Sequence, residues 1–372
     1  IYPGAAGETP QDGRQAAAPI GPDEVRAAYQ TLLKYKAGKA NLEKRIIDNQ
    51  QWYKLRQWEC LRRRGGEREQ IEPVSAWLFN AIANKHADAM DAFPAASILP
   101  REQGDSAQAE MLSAVVPVVL DECDFESVYS GVTDDKLISG TGVYGVFWDA
   151  AKLNGLGEID IVQTDVINLF WESGVTDIQQ SRNLFYVSLR DNALLEEEYP
   201  QLRGRLSAPV MDVARYIYDD SVDTAEKSVV VDWYYKKRQG RRTVLHYCKF
   251  IAGQDEPLFA TENERGAVTD ETGAILRPAP AETGWYEHGL YPFVFDPMFR
   301  SKGTPCGFGY IDVGKNTQEY IDRGDQAIMQ NMLFNCKPRH FIRNDGSVNE
   351  AEYGDLTKDF VHVDGSLGQD SI

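Results

Sequence analysis

The sequence predicts an α+β fold, and three observations carry that prediction. Apolar residues recur every three or four positions through the first third of the chain, the period falls to two after residue 140, and strand-like runs separated by tight turns fill residues 229–260. With 372 residues, 42% of them hydrophobic, the chain is long enough to build more than one core.

Taken in order, residues 1–22 are rich in Gly, Ala and Pro without a periodic apolar pattern and read as a flexible N-terminal arm. A helix is predicted from Pro22-Asp23-Glu24 to Arg64. Its first turn is acidic, Val25, Tyr29, Leu32, Leu33, Lys36 and Ala40 follow in helical spacing, Gly38 is a point of bending, and Gly65-Gly66 ends it. Residues 23–68 hold 12 Lys or Arg against 6 Asp or Glu, opposite in sign to the chain as a whole. A second helix is expected over Val74–Phe93, with Trp77, Leu78, Ile82, Ala89 and Phe93 on one side and Pro94 as its stop. A third starts at Ala107 and continues past a kink at Pro117 to Tyr129.

After Ser139-Gly140 come three strands, marked by Val143, Val146 and Trp148, by Ile159, Ile161 and Val162, and by Leu184, Tyr186, Val187 and Leu189. Asn192–Tyr199 is a short acidic helix stopped by Pro200, and Val210–Tyr218 reads as another. Val229–Tyr235, Thr243–Ile251 and Pro257–Ala260, with turns at Gln239-Gly240 and Gly253, predict a β-meander forming a block of its own. A polar loop over 262–284 and a strand at Tyr291–Phe295 lead to a long helix, Phe308–Cys336. On that helix Tyr310, Val313, Thr317, Tyr320, Gly324, Ala327 and Asn331 form a near-heptad seam, which belongs against neighbouring helices.

Composition removes several function classes. The 57 acidic and 39 basic residues leave a net charge of −18, which argues against an overall basic, nucleic-acid-binding surface. The longest apolar stretch, Ala114–Leu120, is interrupted by Pro117 and far short of the roughly 20 residues a membrane span needs. Cys60, Cys123, Cys248, Cys306 and Cys336 are scattered without a CxxC pair, so reduced thiols are expected and neither a disulfide framework nor a zinc site. The chain opens on Ile1 and closes on a soft polar stretch after Phe360-Val-His-Val363, which reads as a piece of a longer protein.

The search for chemistry yields little. Gly140-Thr-Gly142-Val-Tyr-Gly145 fits a dinucleotide-binding string, but a strand follows it where a helix is required, so it reads as a glycine-rich turn. Gly309–Lys315 is one residue short of a P-loop, with Asn316 where a magnesium-binding hydroxyl belongs and bulky residues inside. His86, His246, His288, His340 and His362 are isolated; the acidic pairs and triplets at 134–135, 196–198 and 219–220 read as solvated faces. Arg323-Gly-Asp325 falls within a helix and not on an adhesive loop. No catalytic residue, metal site or cofactor is predicted. Two basic runs remain, Arg62–Arg64 and the hairpin cluster Lys236, Lys237, Arg238, Arg241 and Arg242, both read chiefly as contacts to an acidic subunit or partner surface.

The order of these pieces resembles that of tailed-bacteriophage portal proteins. Asp135–Asp149 is similar to the wing turn in which a helix reaches a Gly-x-Gly and enters a strand ending in Trp-Asp. Gly157–Phe170 resembles the strand and loop after it, with Val166 in the usual place of a proline. Leu194–Pro200 is similar to the helix ending in Tyr-Pro, and Tyr291–Val294, Gly307–Ile311, Gln318 and Asn331 to the return from clip to stem. The resemblance spans roughly residues 23–368; the crown and most of the second wing segment would follow residue 372.

It implies a wing over 23–190, an uncertain first stem helix within 191–225, a β-rich clip over 226–300, a second stem helix over 301–337 and the start of a second wing segment over 338–372. The implied assembly is a ring of twelve subunits in the virion, at one capsid vertex, put together in the host cytoplasm. Double-stranded DNA passes through it without sequence specificity. Partners would be terminase, head-completion and tail proteins, and capsid and scaffolding proteins; the chain itself would be no enzyme and meet no membrane. The expected channel lining is Asp312, Glu319, Gln326 and Gln330, and the expected subunit interface is the seam of the long helix, packed on helices of the same and the neighbouring subunit. The alternatives are a phosphate-handling enzyme using Gly309–Lys315 and another structural virion component.

Overall fold

The computed structural model describes residues 18–63, 71–206, 226–239, 242–269 and 275–336. Helices α1 (Pro22–Tyr53), α2 (Gln57–Arg63), α3 (Trp77–Asp91), α4 (Ser106–Glu122) and α5 (Phe125–Ser139) come first. Then follow β1 (Thr141–Asp149), the short turn α6 (Lys152–Gly155), β2 (Glu158–Gln163), β3 (Leu169–Trp171), β4 (Asn183–Asp191) and α7 (Asn192–Glu198). The remaining elements are β5 (Lys227–Gln239), β6 (Arg242–Ile251), β7 (Pro257–Ala260), β8 (Val268–Thr269), β9 (Ile275–Arg277), α8 (Pro280–Thr283), β10 (Phe293–Pro297), β11 (Phe299–Arg300), β12 (Gly307–Phe308) and α9 (Tyr310–Cys336). The mixed class is the predicted one. The N-terminal arm up to Ala17, the helix expected at Val210–Tyr218 and the segment 338–372 lie outside the described residues.

Two units emerge, one of residues 1–66 and 76–316, the other of 67–75 and 317–372. In the first, β10-β1-β2 form one antiparallel sheet and β3-β4-β5-β6-β7 another. The meander is therefore not a block of its own. Strand β5 pairs with β6 on one edge and with β4 on the other, from Asn183 opposite Tyr235 to Asp191 opposite Lys227. Burial explains the join: Val229, Val231, Trp233 and Tyr235 enter a core with Val25, Ala28 and Leu32 of α1, while Tyr234 on the other face enters a second core with Leu245, Phe293 and Ile46. A strand buried on both faces makes a poor sheet edge.

Helix α1 starts where Pro22 presets the first helical dihedral and Glu24 accepts a bond from the Gly21 amide. It runs through Gly38 without a break, and a β-carbon there would stand 3.3 Å from the Ser173 hydroxyl. The helix does not continue to Arg64. It stops at Tyr53, and Leu55 turns left-handed (φ 59°), so Trp52 and Cys60 can both enter a third core with Leu78, Ile82, Leu137 and Ile311. Likewise α4 runs through Pro117 and ends at Cys123-Asp124, where Asp124 is left-handed (φ 47°), and a separate helix, α5, begins.

One buried cation ties α1 to the sheet. The Lys39 ammonium donates to the carbonyls of Val166 (2.7 Å), Ile167 (2.9 Å) and Leu169 (2.7 Å) and lies 4.5 Å from the centre of the Phe170 ring. Burial pushes its pKa down to about 8, against the attraction of nearby Glu43. In the second unit α9 holds the segment 71–75 by its backbone. Gln318 donates to the Ser75 carbonyl (2.6 Å), Asp322 accepts from the Ser75 amide (2.9 Å) and hydroxyl (2.5 Å), and Gln326 donates to the Ile71 carbonyl (2.8 Å).

Candidate assembly surfaces

Helix α9 starts from a crossing of two backbones. Gly140 caps α5 in the left-handed conformation (φ 90°), and a β-carbon there would lie 2.5 Å from the Phe308 backbone; one on Gly309 would lie 2.5 Å from the Leu137 carbonyl. Both phosphate-loop strings meet at this crossing, one through Gly140 and the other through Gly309. The Gly309–Lys315 string is no loop, since from Tyr310 it is helical. Its lysine is engaged by Asp312 (3.2 Å) and the Asn49 amide oxygen (3.3 Å), while Asp312 also accepts from the Gly309 amide (3.1 Å) and faces Arg45.

The seam of α9 points outward. Val313 and Tyr320 are 61% and 78% exposed, Thr317, Gly324, Ala327 and Asn331 are exposed as well, and Tyr310 is half-buried. Ile321, Ile328, Met329, Met332, Leu333 and Phe334 extend the exposed apolar surface. The expectation that the seam packs on helices of its own subunit is thus corrected: the line buried within the subunit is Ile311, Gln318, Asp322 and Gln326. Gln326 and Asp312, expected to line a channel, are engaged inside the subunit instead. Glu319 pairs with Arg323 (3.0 Å), and Gln330 is exposed.

The basic hairpin cluster divides in the same way. Lys236 donates to the Gln179 carbonyl (2.6 Å) and sits 4.4 Å from the Tyr291 ring centre, and Lys237 pairs with the fully buried Glu262 (2.6 Å), which also accepts from the Tyr235 hydroxyl (2.6 Å). These two lysines fasten the hairpin to its own subunit. Arg242 is exposed, and Arg241 lies outside the described residues.

Among the titratable groups, His86 comes within 3.0 Å of the Ser130 hydroxyl and 3.7 Å of Asp134. Both contacts fall on Nε2, whereas a nucleophile relay needs the two ring nitrogens to address different partners. Among the described residues no His, Cys, Asp and Glu side chains cluster as a metal site. A cavity of about 560 Å³ lies beside β10, lined by Asp177, Gln179, Phe293, Phe295, Arg300 and Cys306; Asp177 caps the adjacent turn by accepting from the Gln179 amide.

A second exposed apolar region was not foreseen. Helix α4 buries only Ala109, leaving Met111, Leu112, Val115 and Val118 exposed, and at its end the Cys123 thiol donates to the Ile159 carbonyl (3.1 Å). On the β1–β2 hairpin Val146, Trp148, Leu153, Leu156 and Ile159 are exposed too. The signal was present in the sequence: α4 is apolar on most sides, which a helix with one solvated face is not. No helix among the described residues is long and apolar enough to cross a membrane.

A model of the phage P22-like portal protein family matches residues 48–286. No curated protein matches the chain.

Proposed function

Because the chain belongs to the phage P22-like portal protein family, we propose that it assembles into a ring at one capsid vertex, a channel through which double-stranded DNA is packaged and ejected. The family is structural, and its place is the virion. The observation that carries the ring reading is the exposed apolar side of α9, from Val313 to Phe334. Contiguous apolar surface of this kind marks an interface. Among the described residues no atom outside the helix's own backbone lies within 4 Å of where a β-carbon on Gly324 would be, so this side of the helix is open to a close neighbour.

On this reading α9 is the channel-side stem helix, with Glu319 and Gln330 as the remaining lining candidates, and the 226–300 region meets terminase and head-completion proteins. The net charge of −18 supports a conduit from which the phosphate backbone slides off. Mass photometry of the purified chain tests it. Rings of about twelve copies are expected, and a Tyr320→Glu/Ile328→Glu variant should stay monomeric. A wild type that remains monomeric at every concentration, or a variant that closes rings equally well, overturns the reading.

A further inference from the structure

The unforeseen apolar region is also the most one-sided in charge. Residues 102–135 contain nine acidic side chains and no Lys or Arg. Glu110, Asp121 and Glu122 flank the exposed Met111, Val115 and Val118 and have no ion-pair partner among the described residues. The adjoining hairpin is built to present its apolar side chains. Gly157 (φ 83°) leaves room for Trp148, whose ring would lie 2.5 Å from a β-carbon there, and Trp148 is still 56% exposed. Lys152, the hairpin's lysine, is neutralised by Asp160 (2.6 Å). The surface is thus apolar with an acidic rim.

The complement lies on other elements of the same unit. Residues 22–63 hold ten Lys or Arg against five Asp or Glu. On α1, Lys34, Ala37, Asn41 and Lys44 share one exposed stripe at spacings of three, four and three, about 15 Å long at 1.5 Å per residue. Lys34 and Lys44 have no ion-pair partner among the described residues. Between them stand small side chains, so apolar groups can lie against the aliphatic lysine stems. A closed ring requires two different patches of each copy to meet head to tail, and one element pair here offers two patches of opposite charge.

We propose that the α4 and β1–β2 surface of one subunit docks on the Lys34–Lys44 face of α1 in the next. This rests on the ring reading and names which surfaces close it. Two patches of opposite sign steer the approach and set the order of copies, while Met111, Val115, Val118 and Trp148 are dried by the contact.

Charge exchange in the full-length chain tests the pairing, read by mass photometry at low salt, with circular dichroism and thermal melting as fold controls. Lys34→Glu/Lys44→Glu and, separately, Glu110→Lys/Asp121→Lys/Glu122→Lys should each lower the ring fraction about tenfold, as lost charge contacts would, with unchanged melting. Both sets in one chain should restore it. Oxidation of an Ala37→Cys/Val115→Cys variant should produce a ladder of covalent oligomers. The inference is overturned if either one-sided variant closes rings like the wild type, which would leave the acidic surface to a different partner. It is also overturned if both one-sided variants fail and the combination does not recover. A wild type that forms no rings overturns the ring reading itself, so the two failures are distinct.

Discussion

Lys39, which is buried, and Asp135, which is partly buried, show how much single ionisable groups contribute to this subunit. Truncating Lys39 to Ala leaves the carbonyls of Val166, Ile167 and Leu169 without their shared donor. At about 1–3 kcal/mol for each unsatisfied buried group, and with water entering part of the gap, the expected loss is about 3–5 kcal/mol. Urea titration of the variant measures it, and a loss under about 1 kcal/mol would show that the carbonyls find other donors. Asp135 works in the opposite sense. Burial pushes its pKa up to about 7, against a bond from the Gln163 amide (2.6 Å), with Asp165 and Asp134 raising it further. Between the unfolded carboxylate range near 4 and about 7 the native state therefore binds the proton more tightly, and this group's share of stability falls as pH rises through that window. Asp135→Asn keeps an acceptor for Gln163 and should flatten the melting-temperature profile between pH 4 and 7, with a higher melting temperature than wild type at pH 7.5. An unchanged profile would mean that Asp135 titrates as an ordinary surface carboxylate.

At the scale of elements, hydrophobic period located most helices and strands, because α1, β4, β5 and β6 bury apolar residues at their natural repeat. Three features escaped it for physical reasons. The breaks at Leu55 and Asp124 need left-handed residues that are not glycine, so no local marker announced them. The joining of the meander to β4 is a matter of which edge is free, and edges are tertiary facts. The buried side of α9 is built from Gln318, Asp322 and Gln326, whose polarity reads as solvent-facing until the backbone of 71–75 is found beneath them. That is why the apolar seam lies on the exposed side of α9 and not against the rest of the subunit. The glycine crossing, by contrast, was legible as two strings whose chemistry failed. Gly140→Ala adds a β-carbon to a left-handed residue 2.5 Å from the Phe308 backbone and should destabilise by about 2–4 kcal/mol, read by chemical denaturation. An effect below about 0.5 kcal/mol would mean the two backbones part without loss.

For the whole molecule the decisive distinction is between faces the subunit uses and faces it leaves open. Gly324→Leu separates the two. With no described atom near its added side chain, and with Gly the poorer helix former, it should leave the subunit folded and stabilise it slightly, by about 0.5–1 kcal/mol, yet it should block ring closure by holding the neighbouring helix away. Thermal melting and mass photometry on the same sample check both halves, and normal rings would refute the close approach at this position. The net charge of −18 belongs to this scale too, since in the proposed ring the copies sum it into a field that no residue-level pairing removes.

The crossing at Gly140 has a bearing on timing. The two segments that meet there are about 170 positions apart, so α9 cannot be seated until the corner after α5 has formed, and contacts so distant along the chain are closed late. Synthesis runs in the same direction: the corner leaves the ribosome well before α9 does. If the proposed ring assembles through α9, a nascent or damaged subunit has no anchored α9 with which to recruit neighbours, and copies whose body has not matured are kept out of it.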